Sequence, residues 1–334
     1  MLKYFPIAAG TFGLVMIISG CTSPLTQGAI MGPNANQNGE LQRGQRAQPA
    51  SGSSGDLLYV APNGPNLVTY YTYPAGELVG TLNATARGLC SDTRGNVFVI
   101  NEGSISEWAH GGTSPIKTLG SHTYNYWSCS VDPITGNLAV TFEDYSAGPT
   151  IGNLAVTSEN SGGTGIAIFK NATGDQTTYT DTDFSHLYFC GYDGAGNLFA
   201  DGYIGGNPAA FAELPAGGSK LKIVRLAQGI MKPGQVQWDG KYLTVADEHN
   251  HIIYRVKIKS SRATVVGKTK LGGFSNVFFG SWIYGGTVVV PFPRKHQVGY
   301  VGFWNYPQGG SPTKTFLGPG YDTPDNAVTV SPGS

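Results

Sequence analysis

The sequence predicts an all-β chain closed into a six-bladed β-propeller, on three observations. A short unit recurs along most of its length: an Asp-x-x-Gly-Asn turn into an apolar strand, a second strand ending in an aromatic, then a Gly-Gly turn. The composition suits short strands and tight turns, with 49 Gly, 18 Tyr and 15 Phe in 334 residues and no helical apolar period after the first twenty. The two ends of the folded region complement each other, each supplying what the other lacks.

The unit is clearest at GLCSDTRGNVFVIN (88–101) with ISEWAHGGTSPIKTLG (105–120), and at YDGAGNLFADGY (192–203) with FAELPAGGSKLKIVRL (211–226). So small a unit cannot bury both faces of its sheet alone, and copies must pack on their neighbours. Its turn aspartates, Asp92, Asp132 and Asp193, are read as caps that accept backbone N–H bonds. Trp108 and Trp304, ahead of Gly-Gly turns at matching places, are read as packing between blades. Cys90, Cys129 and Cys190 each precede a turn aspartate on an innermost strand. Like positions on neighbouring blades fan apart, and a disulfide needs Cα atoms within about 7 Å, so three buried free thiols are expected.

The turn anchors fall at Gly95-Asn96, Gly136-Asn137 and Gly196-Asn197, with weaker equivalents at Gly55-Asp56, Gly240-Lys241 and Gly286-Thr287. Their intervals are 40, 41, 60, 44 and 46 residues. The long interval contains a duplication, GNLAVTFED (136–144) recurring as GNLAVTSEN (152–160), and removing that offset of 16 restores 44. Period-two register cannot say which copy is paired. The first unit lacks an inner strand, whereas DNAVTVSPGS (325–334) is a strand with nothing after it. Pairing the two closes the ring and removes an exposed sheet edge. A seventh, partial blade from the duplicated region is the alternative.

The N-terminus is read as a targeting segment over 1–20. Lys3 supplies the positive charge and Ile7–Ile18 the apolar core, too short for the ~20 residues a bilayer needs. Ile18-Ser19-Gly20-Cys21 resembles the bacterial lipobox, which implies lipidation of Cys21 and a membrane anchor without a spanning helix. Thr22 stands where inner-membrane retention favours Asp, so the outer membrane or cell surface is expected. Residues 21–55, rich in Gly, Asn, Gln, Ser and Pro, read as a disordered tether with a reach on the order of 30 Å. The propeller is placed at 56–334. A net charge of +0 with 13% charged residues offers no footprint for nucleic acid.

The segment YLTVADEHNHIIYRVKI (242–258) resembles the NHL-repeat pattern of apolar-Val-Ala-Asp, an Asn-bearing turn and an Ile/aromatic strand. Asn101 and Asp201 keep only part of that pattern in two other blades. The resemblance implies a propeller and, at Asp247, a turn cap. It implies no single activity, because extracytoplasmic propellers of this kind include binding modules, lactonases and lyases.

Function is expected on the rim where the loops after the second and fourth strands of each blade meet. The rim residues singled out are Tyr126 and Trp127 in the aromatic cluster 124–127, Glu143 and Asp144, Glu248 and His249, and His296. Exposed aromatics suit sugars, peptides or partner proteins. The expected role is a ligand-, carbohydrate- or protein-binding scaffold without evident catalysis or cofactor. The alternative is a metal-assisted hydrolase or lyase resembling gluconolactonase-like propellers, in which Ca²⁺ polarises a lactone carbonyl. Asn276 and Asn326 would be its weak ligand candidates, while Arg87 and Trp127 stand where an early carboxylate ligand is implied.

Overall fold

The computed structural model describes residues 55–61, 67–144, 163–205, 209–273, 280–294, 297–318 and 327–333. Their strands form antiparallel meanders. The first comprises β1 (Leu57–Ala61), β2 (Val68–Thr72) and β3 (Leu78–Leu82). The second holds β4 (Gly88–Ser91), β5 (Val97–Asn101), β6 (Ser104–Trp108) and β7 (Pro115–Leu119). The third holds β8 (Tyr124–Val131), β9 (Leu138–Asp144), β10 (Thr164–Phe169) and β11 (Gln176–Thr180). The fourth holds β12 (His186–Tyr192), β13 (Leu198–Tyr203), β14 (Ala209–Leu214) and β15 (Lys222–Leu226). The fifth holds β16 (Pro233–Trp238), β17 (Leu243–Asp247), β18 (Ile252–Lys259) and β19 (Arg262–Lys270). The sixth holds β20 (Trp282–Tyr284), β21 (Thr287–Arg294), β22 (Gln297–Asn305) and β23 (Lys314–Leu317), and β24 (Ala327–Ser331) follows.

β24 pairs antiparallel with β1, Leu57 opposite Ser331 and Ala61 opposite Ala327, and completes the first meander as its innermost strand. The innermost strands then touch in the cyclic order β24, β4, β8, β12, β16, β20 and back to β24. This is a β-propeller. Apolar layers lie between consecutive meanders: Tyr59 and Val97 between the first and second, Phe98 and Val140 between the second and third, Val289 and Val330 between the sixth and first. Trp108 and Trp304 are both buried in such layers, as packing residues. The fourth and fifth meanders are also stitched at their outer edges, where β15 pairs parallel with β19, making one eight-stranded sheet.

The turn aspartates act as the sequence implies. Asp92 Oδ1 accepts the N–H groups of Arg94 and Asn96, Asp193 Oδ1 those of Ala195 and Asn197, and Asp132 Oδ1 that of Ile134. Gly95, Gly136 and Gly196 take φ of 88°, 71° and 80°, a region costly for residues with a Cβ. Of the duplicated pair, GNLAVTFED supplies β9, between β8 and β10; the second copy lies outside the described residues.

The expectation of three free thiols is corrected. Cys90 and Cys129 form a disulfide with Cα atoms 5.7 Å apart, and Cys190 is free and buried. Register explains it. Ser91 lies opposite Val97, Val131 opposite Leu138 and Tyr192 opposite Leu198, which makes Cys129 and Cys190 equivalent and sets Cys90 one place out of step. One step reverses the side-chain face. Cys90 therefore points toward the third meander, Cys129 points back, and both lie in the layer between.

Candidate functional site: an aromatic ladder on the rim

Three innermost strands bulge at the same level: after Tyr126 in β8, after Leu187 in β12 and after Pro233 in β16. A bulge sets extra chain against its partner and re-aims a side chain. Trp127 with Ser128 faces Thr141, and Tyr188 is the extra residue of β12. Thr141 fixes both, its hydroxyl accepting from Ser128 N–H at 3.2 Å and donating to the Tyr188 carbonyl at 2.7 Å.

Arg87, Trp127 and Tyr188 each stand five residues before a turn aspartate, at equivalent places on adjacent meanders. Their side chains form a ladder. The Arg87 guanidinium lies 4.6 Å from the Trp127 ring centroid, and Trp127 meets Tyr188 edge-on at 5.6 Å. Tyr188 stacks on His186 at 5.6 Å and meets Tyr203 edge-on at 5.8 Å. Such aromatic contacts contribute roughly 0.5–1.5 kcal/mol each beyond burial. Polar contacts pin both ends: Arg87 forms an ion pair with Glu102, and His186 Nδ1 lies within hydrogen-bond distance of Glu143 Oε1, at 2.7 Å. The Trp127 indole N–H is buried and has no hydrogen-bond partner. The ladder ends at the fifth meander, where Gly234 holds the equivalent place and an added Cβ would come 2.6 Å from Glu248 Cγ.

Beside the ladder, Asp201 is 1% exposed and ties two innermost strands together. Its oxygens accept Phe189 N–H of β12 at 3.2 Å and Gly234 N–H of β16 at 3.1 Å. Burial outweighs these bonds and holds its pKa well above the usual carboxylate range. Tyr203 is raised too, first by burial and then by Glu248, Asp201 and Asp247. The folded state thus keeps the Asp201 proton where the unfolded chain releases it. Its contribution to stability is fullest below the unfolded pKa of about 3.9 and declines as pH rises toward the folded value, by at most about 1.4 kcal/mol per pH unit. Asp201→Asn is expected to flatten this slope and to cost about 1–3 kcal/mol, because its amide turns a donor toward a backbone N–H. Urea unfolding between pH 4 and 7 measures both, and an unchanged slope in the variant would count against the assignment.

Of the residues singled out in the sequence, Trp127 and Glu143 belong to the ladder, and Asp144 ends β9 half-buried beside Glu143. Tyr126 is not a surface contact: it is fully buried, accepting Ser121 N–H at 3.0 Å and donating to Gln176 at 2.7 Å. Glu248 is also fully buried, 3.3 Å from Lys232 Nζ. Neither is open to a ligand arriving from solvent. Tyr126 lies in the apolar layer between the second and third meanders, and Glu248 follows β17, all of whose residues are buried. His249 is exposed on the turn after β17, and Asp247 caps that turn by accepting Asn250 N–H. Cys21, His296, Asn276 and Asn326 lie outside the described residues, as do the targeting segment and almost all of the tether. Among the described residues no three His, Cys, Asp or Glu side chains gather as a metal site. Tyr188 and Tyr203 were not foreseen. Counting five residues back from each turn aspartate, rather than looking for exposed clusters, finds Tyr188.

No protein-family profile matches the chain, and no curated protein matches it. Solved structures do. A chain of a nidogen/laminin complex is 15% identical, with a TM-score of 0.61 over 84% of this chain and 100% of that one. A protein of unknown function from Bacteroides caccae is 10% identical, with a TM-score of 0.58 over 83% and 99%. The Cps50 (Swd1) β-propeller domain of Myceliophteria thermophila is 11% identical, with a TM-score of 0.52 over 80% and 85%. At such identities the likeness speaks to fold alone, and with the ring of innermost strands it makes this chain an all-β propeller.

Proposed function

We propose that this chain is a six-bladed, NHL-repeat-like propeller that serves as an extracytoplasmic binding module, seating a protein or carbohydrate ligand on the Arg87–Trp127–Tyr188 ladder. The observation that carries the reading is the ladder itself: aromatic faces, a flanking Arg87–Glu102 ion pair and an indole donor with no partner, gathered on the rim beside the bulges. Tryptophan, tyrosine and arginine in such clusters supply most of the free energy of many interfaces. A similar fold occurs in a nidogen/laminin complex, an assembly of proteins. The Cys90–Cys129 disulfide supports an oxidising, extracytoplasmic compartment, in keeping with a lipidated Cys21 as the anchor and an outer-membrane or cell-surface location.

Titration of the full-length chain with purified envelope polysaccharide and with envelope protein fractions tests the reading. Trp127→Ala is expected to weaken binding at least tenfold without lowering the melting temperature by more than a few degrees. Unchanged affinity in that variant would remove the ladder from the binding surface.

A further inference from the structure

On the face opposite the ladder, the third and fourth meanders part around a cleft of about 410 Å³. Ile134 of the Asp132 turn, Ile168, Tyr179, Leu198 and Leu214 make its walls, and Tyr192 of the innermost strand β12 lines it as well. Ile134, at the mouth, is 65% exposed. Tyr192 is 6% exposed, and its hydroxyl is buried with no hydrogen-bond partner. Buried hydroxyls are nearly always satisfied, so an orphan beside a cleft marks a missing acceptor or donor.

The lining also states the charge of what would fit. It contains no Lys, Arg or His. Its one carboxylate, Asp132, is already occupied, Oδ1 by Ile134 N–H and Oδ2 by the Thr135 hydroxyl. An anion finds no cationic partner there, and the carboxylate is held within its own turn. The volume lies within the range of small-molecule sites and well above that of a single water.

We infer that this cleft is a second binding site, for a small neutral molecule with a compact apolar body and one hydrogen-bond acceptor directed at Tyr192. It lies on the other face from the ladder and does not depend on the reading of the rim.

Acetophenone is a suitable probe, with ethylbenzene as its counterpart lacking the acceptor. In the full-length chain labelled at isoleucine methyls, acetophenone is expected to shift Ile134 and Ile168 saturably and to bind at least fivefold more tightly than ethylbenzene. Tyr192→Phe should abolish that preference, and Ala195→Phe at the exposed mouth should abolish both sets of shifts. Without ligand, Tyr192→Phe should melt no lower than the parent, because it removes only an orphan group. The inference is overturned if neither isoleucine shifts saturably, if ethylbenzene binds as well as acetophenone, or if either variant leaves binding as it was. A lowered melting temperature for Tyr192→Phe would also overturn it, since the hydroxyl would then be bonded within the protein.

Discussion

Truncation after residue 326 is expected to abolish cooperative folding. The lost strand is buried along its whole length, from Ala327 through Ser331. Burial of Val328 and Val330 contributes about 1.5–3 kcal/mol each. The ladder bonds to β1 add about 1 kcal/mol apiece. Side chains stitch the strand further to the second meander: Ser91 Oγ donates to the Val330 carbonyl at 2.8 Å, and Ser331 Oγ to that of Gly95 at 2.6 Å. The total is on the order of 10 kcal/mol, comparable to the 5–15 kcal/mol stability of a whole domain. Loss of the strand also leaves the inner edge of β1 open to pairing with other chains. Circular dichroism during thermal unfolding would show a broad, probe-dependent transition in the truncated chain. A peptide of residues 325–334 added in trans should restore part of the cooperative melt. A sharp transition within 1 kcal/mol of the parent would mean that the ring does not depend on its last strand.

Replacing both Cys90 and Cys129 by Ser is expected to cost about 4 kcal/mol, second only to the truncation. The bridge joins residues 39 apart in sequence, and chain-entropy arguments give about that value for such a loop. It lies between the second and third meanders, beneath the Arg87–Trp127 contact, so its loss also loosens the base of the ladder. Guanidinium unfolding of the double variant, compared with the parent under reducing and oxidising conditions, measures the effect. If reduction of the parent changes its unfolding free energy by less than a few tenths of a kcal/mol, the bridge is not a principal support of this seam.

The ring was legible in the sequence because its signals are local and repeated. Asp92, Asp132 and Asp193 announce their turns two to four residues ahead through bonds to nearby N–H groups, which any short window contains. The closing strand was legible by subtraction, since DLLYV had no inner neighbour and DNAVTVSPGS no successor. What escaped depends on side-chain direction across meanders. A one-residue offset, two residues before the turn aspartate at Cys90 against three at Cys129, decides that the two meet, and its reversal of face is lost when the cysteines are treated as like positions. Tyr126 is in the core and Trp127, in the bulge that follows, is only partly buried; alternation sets the two on opposite faces without saying which one is covered. The parallel seam between β15 and β19 had no sequence signal, because the alternation of β19 marks which face is covered and not which strand pairs along its outer edge.

The hydrogen bonds of His110 to Ser331 and to the Gly55 carbonyl, with Gly333 N–H donating to Asp56, place both extremities of the described body among the loops after first and third strands. The polypeptide therefore enters on the side turned away from Trp127. Whatever is joined at Gly55 starts on the face away from the ladder and leaves the approach to Trp127 clear at that junction.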